Sequence, residues 1–355
     1  MSVAADGPDE SPQALIERLD LRPSALPASE MKGWEPPTKV VARLLSPEQA
    51  AQLAEVAPGV ELVVVTSEAE ALAAMPGADA LLGFCSDELL AAADSLHWIQ
   101  VYSAGVERCV ALEAMQNGGF LLTNAQHIGS PALAETSIAL MMALVRGLDL
   151  YYRNQLKEEW VRDIGSPAGT FMELGGRTML VVGLGGIGTQ VARRAHGLGM
   201  RVIATRGSRR EGPDYVDYVG LPHELHDLAP QADVVVNAVP LTDETRGIFD
   251  KAFFDLMKPT AFFISVGRGA STVTDDLVAA LENGDIAGAG LDVTDPEPLP
   301  AGHPLWTTPR VIITPHTAAR GDRGQERLFA MVRENLRRYV AGEPMLSVVD
   351  VARGY

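Results

Sequence analysis

Thr178-Met-Leu-Val-Val-Gly183-Leu-Gly185-Gly-Ile-Gly188 decides how the rest of the chain is read. An apolar strand runs straight into Gly-x-Gly-x-x-Gly, and good helix formers follow over 190–196. Strand, glycine turn and helix in that order open a dinucleotide-binding βαβ unit. Each glycine meets a separate demand. Gly183 makes the tight turn, Gly185 lets backbone approach a pyrophosphate, and Gly188 lets helix sit close on strand. The pyrophosphate would then lie against open N–H groups at the helix start, around Gly186, Ile187 and Gly188.

The end of the next strand selects the dinucleotide. An NAD-selective unit places a carboxylate about 20 residues on, to accept from the ribose 2′-OH. Here Arg201-Val-Ile-Ala-Thr205 is followed by Arg206-Gly-Ser208-Arg209-Arg210, and no Asp or Glu occurs from 200 to 210. Guanidinium groups hold a 2′-phosphate by charge-assisted, bidentate bonds. NADP is the expected cofactor, with NAD as the alternative, and Arg206, Ser208, Arg209 and Arg210 are the expected phosphate ligands.

Working outward, apolar runs at 233–238, 261–266, 287–292 and 311–314 continue the βα rhythm after this unit. Runs at 40–45, 61–65, 80–84, 98–102 and 120–123 make an earlier series. Alternation at this pace implies parallel sheets covered on both faces. The predicted class is α/β, with two doubly wound parallel-sheet domains: a Rossmann coenzyme domain over 127–320 inserted in a flavodoxin-like substrate domain built from 38–126 and 321–355. A long apolar helix over 131–152 is expected to be buried, between domains or in a subunit interface. A last helix near 325–340 is expected to pack back on the first domain. Residues 1–37, rich in proline, read as a loose extended segment with a helical turn or two around 14–19.

Bulk properties limit the partners. A chain of 355 residues with 47% hydrophobic side chains and a net charge of −17 suits a two-domain globular protein. That charge argues against nucleic acid or an anionic membrane as a partner. No apolar run approaches the roughly 18 residues of a membrane span, and the first residues lack a secretory pattern. Cys85 and Cys109 show no metal or redox spacing and read as reduced thiols, so a cytoplasmic location is expected and no metal site.

Ligands of an open parallel sheet sit beyond the carboxyl ends of its strands. Beyond 233–238 stand Val239 and Pro240; beyond 261–266 stand Gly267 and Arg268, after Val266. Beyond the next strand come Asp292 and Glu297, and beyond 311–314 comes His316. Reduction of a 2-oxoacid uses these types. Arg268 is a permanent, fork-shaped cation for the carboxylate or carbonyl oxygen, and His316 is a proton donor for the developing alkoxide. A carboxylate beside the histidine stabilises its protonated form, the part of Glu297. Asp292 would accept from the nicotinamide carboxamide.

With those residues in place, 40–340 resembles the D-isomer-specific 2-hydroxyacid dehydrogenase family. The match runs through 176–188, Pro-Leu-Thr-Asp-Glu-Thr at 240–245, Val-Gly-Arg-Gly at 266–269, Leu-Asp-Val-Thr-Asp-Pro-Glu-Pro-Leu at 291–299 and Ile-Thr-Pro-His-Thr-Ala at 313–318. The family's Arg, Glu and His fall on Arg268, Glu297 and His316. The resemblance implies that Ser103-Ala104-Gly105-Val106 binds the substrate carboxylate through main-chain N–H groups, and that the protein is a homodimer. Ser265 stands where the family usually has Asn. The arginine-ended second strand is most similar to the glyoxylate/hydroxypyruvate reductase branch, which implies hydride transfer to C2 of a small 2-oxoacid to give the D-2-hydroxyacid. A family dehydrogenase for a bulkier 2-hydroxyacid and a dinucleotide-sensing corepressor are the alternatives; the intact Arg, Glu and His favour an enzyme.

Overall fold

A computed structural model describes residues 11–31, 34–164 and 171–353. The chain divides into two compact units, one formed by Met1–Gly129 with Gly321–Tyr355 and the other by Ser130–Arg320.

The first unit begins with α1 (Pro12–Leu19) and β1 (Pro23–Pro27), then β2 (Lys39–Arg43), α2 (Pro47–Val56), β3 (Glu61–Val65) and α3 (Glu68–Ala74). β4 (Ala80–Leu82), α4 (Asp87–Ala91), β5 (Trp98–Gln100), α5 (Glu107–Val110), α6 (Glu113–Gly118) and β6 (Leu121–Thr123) follow. Its sheet is parallel with order β3-β2-β4-β5-β6. That is the flavodoxin-like 2-1-3-4-5 order.

The second unit contains α7 (Ser130–Val145), α8 (Leu148–Gln155), β7 (Thr178–Val182), α9 (Gly186–Gly197), β8 (Arg201–Thr205), β9 (Tyr218–Gly220) and α10 (Leu225–Leu228). It continues through β10 (Val234–Asn237), α11 (Lys251–Phe254), β11 (Phe262–Ser265), α12 (Thr274–Asn283), β12 (Gly288–Leu291) and β13 (Val311–Ile313). The order β13-β12-β11-β10-β7-β8-β9 is all parallel. It is the Rossmann order with one strand added at the edge. Every residue of β7, β10, β11 and β12 is buried, which is why their sequences read as continuous apolar runs rather than alternating ones.

The chain then returns to the first unit as α13 (Gly324–Ala341) and β14 (Pro344–Leu346). Leu328, Met331, Val332, Leu336 and Tyr339 lie on one face of α13 and are buried in the first unit's core. Polar groups fix the register of this docking. The Asn335 amide donates to Gln100 Oε1 at 2.9 Å, the Thr123 hydroxyl donates to the same oxygen, and the Trp98 indole donates to Thr123. All are buried, so each satisfied group avoids a desolvation cost of about 1–3 kcal/mol.

Three expectations are corrected. The segment expected to be loose is folded over 11–31. Leu15, Leu19 and Leu21 are buried with Met331 and Leu336 of α13, and β1 pairs antiparallel with β14. Its prolines suit these places: Pro12 follows the N-cap Ser11, whose hydroxyl accepts from Ala14 N, and Pro23 and Pro27 lie in a two-stranded ribbon. The single helix expected over 131–152 is two helices, because Gly147 adopts a left-handed φ of 64° between α7 and α8. The first of these is buried by its own unit, against α9, β11 and β12; Gly290 lets it approach β12, since a Cβ there would stand 2.9 Å from Leu140 Cβ. Finally, Cys85 and Cys109, read as free thiols, form a disulfide with Cα atoms 5.7 Å apart. It joins the segment after β4 to α5, a closeness that only the sheet order creates.

Candidate active site

Register sets the geometry of the second unit. Ile313, Leu291, Ser265, Asn237, Val182, Thr205 and Gly220 form one row of paired residues across the sheet. The next residues along each strand therefore leave from one edge. Asp292, Val266, Ala238, Gly183 and Arg206 all lie one step past the row, and Gly267, Arg268 and His316 lie two or three steps past it.

His316 Nδ1 is 2.6 Å from Glu297 Oε1. Nε2 is thus the ring nitrogen with no partner among the described residues. Both side chains are partly exposed, His316 by 49% and Glu297 by 39%. His316 also has a left-handed φ of 51°, a conformation that a non-glycine residue holds only where its surroundings impose it. Asp292 supplies that imposition. Its carboxylate, 1% exposed, accepts from the N–H groups of Thr317 and Ala318 and from the Thr314 hydroxyl, while its carbonyl accepts from His316 N at 2.8 Å. One buried aspartate thereby grips both sides of the histidine.

Arg268 is held by a different device. Gly269 packs so tightly that a Cβ there would sit 1.8 Å from Thr294 O, and a Cβ at Gly267 would sit 2.7 Å from Val239 O. Beneath this turn the Asn237 amide donates to Ser265 Oγ at 3.0 Å and to Ser271 Oγ at 2.8 Å, and Ser271 Oγ donates to Arg268 O. Ser265, where the family pattern carries Asn, is therefore a hydrogen-bonding support of the arginine turn. Asn237 and Ser271 escaped the sequence reading. A lone Asn closing the run Val234–Asn237 is a weak signal. Val239 N donates to Asn237 Oδ1, and Pro240 O accepts from Thr245 Oγ1.

At the glycine turn Gly183 has a φ of +94°, and a Cβ on Gly188 would stand 2.2 Å from Gly183 O. A Cβ on Gly185 would meet nothing within 4 Å. The turn is thus closed underneath and open above, with Gly186 starting α9; this is the shape a pyrophosphate requires. Past β8, Arg206 is half-buried and donates to Glu211 O at 2.6 Å, while Ser208 and Arg209 are exposed. Arg210 is committed elsewhere, to Glu224 at 2.8 Å and to the Tyr218 hydroxyl. The Leu221 N–H, then Tyr218 and Arg210, pull the Glu224 carboxyl down to about 2, so this pair stays ionised at neutral pH.

In the first unit Ser103–Val106 follows β5. Ser103 O accepts from Ala125 N, Ala104 O from the Asn124 amide and Gly105 O from the Ser103 hydroxyl. The N–H groups of Ala104, Gly105 and Val106 have no partner among the described residues. A loop with its carbonyls tied and successive amides open is an anion-binding concavity.

Residues 138–318 match the D-isomer specific 2-hydroxyacid dehydrogenase, NAD binding domain. The chain is 34% identical to a glyoxylate reductase of Korarchaeum cryptofilum, over 75% of this chain and 80% of that one. It is 33% identical to the Homo sapiens glyoxylate reductase/hydroxypyruvate reductase, over 76% and 84%. An NADPH-dependent glyoxylate/hydroxypyruvate reductase of Sinorhizobium meliloti, solved with NADP and sulfate, is 28% identical with a TM-score of 0.75, covering 90% of this chain and 100% of that one. Fold, strand-end residues and relatives agree: the chain belongs to the D-isomer specific 2-hydroxyacid dehydrogenase family.

Proposed function

We propose that the chain reduces a small 2-oxoacid of the glyoxylate or hydroxypyruvate kind to the D-2-hydroxyacid, with NADPH preferred over NADH. The observation that carries this reading is the 2.6 Å pair of Glu297 and His316 beyond β13, in the unit that holds the dinucleotide fingerprint. When bound, the reduced dinucleotide supplies a hydride to C2. The open amides of Ala104–Val106, in the first unit, are suited to a carboxylate. Arg268 binds the carboxylate and polarises the carbonyl oxygen. His316 Nε2 gives its proton to that oxygen as it becomes an alkoxide. Glu297, on Nδ1, keeps the ring oriented. Asp292 fixes the histidine loop and offers its remaining acceptor capacity to the nicotinamide carboxamide.

Cofactor preference follows from β8. Arg206 and Arg209, with Ser208, supply the donors for a 2′-phosphate, and no carboxylate stands among them to repel it. The relative from Sinorhizobium meliloti is described as NADPH-dependent. Arg210, held by Glu224, contributes to the shape of this edge more than to the phosphate. Arg206→Asp is expected to raise the NADPH dissociation constant at least about tenfold while improving NADH; a fluorescence titration showing unchanged NADPH affinity would remove the assignment.

A homodimer is supported by the surface around α8. Leu148, Tyr152, Leu156 and Trp160 are 55%, 58%, 68% and 91% exposed, an apolar stripe of the kind that marks an association face. Among the described residues no helix is long and apolar enough to cross a membrane. The activity is tested by following NADPH and NADH oxidation with glyoxylate, hydroxypyruvate, pyruvate and bulkier 2-oxoacids. Turnover of glyoxylate and hydroxypyruvate with NADPH is the expected outcome; turnover of bulky 2-oxoacids alone, or none at all, overturns it.

A further inference from the structure

Near the open-amide loop the first unit carries an arginine, Arg43, that lies outside the proposed catalytic set. Ala42, Leu82, Gln100 and Thr123 form the last paired row of β2, β4, β5 and β6, so Arg43, the segment from Gly83 to Phe84, Tyr102 and the loop after it all leave the same sheet edge. Arg43 Cζ stands 4.9 Å from the centroid of the Phe84 ring. The Tyr102 hydroxyl donates to Arg43 O, and the absent side chain of Gly83 makes room for both: a Cβ there would lie 2.7 Å from the Tyr102 ring and 2.8 Å from Arg43 Cβ. Ser103, the first residue of the loop, follows Tyr102 directly. Arg43, Phe84 and Tyr102 are thus one packed group, continuous with the open amides.

The chemistry of that group is specific. Among the described residues no carboxylate pairs with Arg43, in a chain that carries 46 acidic residues against 29 basic ones. Its guanidinium is steadied by an aromatic face, which stabilises the cation without consuming its N–H donors. Burial pushes the Tyr102 hydroxyl above the ordinary tyrosine range, with Arg43 opposing, so the neighbouring group stays a neutral phenol and not an anion. Leu44, next in the chain, is 57% exposed with a left-handed φ of 44°, a strained turn of the sort found at ligand-contacting edges. A fork of open donors beside a carboxylate-binding loop is suited to a second acidic group on the same small molecule.

We propose that Arg43 is a specificity-determining residue that binds an anionic group at the far end of the substrate, so that 2-oxoacids carrying a second carboxylate are reduced as well as glyoxylate and hydroxypyruvate. This rests on the proposed reductase activity and adds a substrate class to it. The test compares wild type, Arg43→Met and Arg43→Lys on glyoxylate, 2-oxobutanedioate, 2-oxoglutarate and 3-phosphonopyruvate with NADPH. Calorimetric binding of 2-oxoglutarate to the NADP+ complex is measured alongside. Methionine keeps the apolar stem on Phe84, and Arg43 is exposed, so folding is preserved.

Loss of about tenfold or more in kcat/KM for the dicarboxylates in Arg43→Met is expected, with glyoxylate kinetics unchanged and partial rescue by Arg43→Lys. Greater sensitivity of 3-phosphonopyruvate than of the dicarboxylates would overturn the carboxylate in favour of a phosphonate or phosphate group. Equal effects on all substrates, or none, would overturn the role of Arg43 while leaving the reductase activity standing. No turnover of any 2-oxoacid, with Arg43-dependent binding retained, would overturn the reductase reading and keep the anion site.

Discussion

Replacing His316 by alanine is expected to lower turnover by about 10²- to 10⁴-fold, the usual contribution of a positioned general acid. NADPH affinity should be unchanged, because the glycine turn and the arginines after β8 do not depend on the imidazole. The distinction matters, since His316 sits in a strained backbone held by Asp292. Alanine pays the same left-handed cost without adding bulk, so thermal stability should hold. Glu297→Gln should keep a hydrogen-bonding partner on Nδ1 and give a smaller loss. Stopped turnover with an intact NADPH titration is the expected pair of results; unchanged turnover would remove His316 from the chemistry.

Gly188→Ala should have the second large effect, and of a different kind. A Cβ at this position stands 2.2 Å from Gly183 O and 2.9 Å from Val181 Cγ1. The first obstacle is backbone inside the turn itself, so α9 must move away from β7. Overpacking of this sort costs about 1–3 kcal/mol or more, and it displaces the amides that meet the pyrophosphate. A lower unfolding temperature together with severe loss of NADPH binding is expected. Gly185→Ala is the control, because its Cβ enters open space: binding should fall with stability retained. Equal stability loss in both variants would mean that the two glycines do not divide the work in this way.

The reasons these residues were readable lie in the parallel sheet. Strands buried on both faces announce themselves as apolar runs, and their carboxyl ends share one edge, so Arg268, Asp292, Glu297 and His316 could be gathered without a structure. What escaped depends on contacts across the chain. β9 is three residues, too short for a periodic signal. α1 and β1 are stable only against α13 and β14, which lie some 300 residues away in sequence and hide the value of Leu15 and Leu19. Cys85 and Cys109 meet because their strands are neighbours, and no spacing rule expresses that. Asn237 and Ser271 act through hydrogen bonds beneath a turn, and Arg43 acts through a ring 41 positions later.

The second unit occupies a single uninterrupted stretch, 130–320, whereas the first is assembled from both ends of the chain. In genetic terms the two are not equally portable. One recombination with two breakpoints, near 129 and 321, would exchange the entire coenzyme module between relatives, Arg268 and His316 with it, and leave Arg43 and the Ser103–Val106 loop of the first unit behind. The reverse transplant needs two separated fragments that must still find one another through β1 and β14. Lineages of this architecture can therefore change redox partner by cassette exchange more readily than they can change substrate.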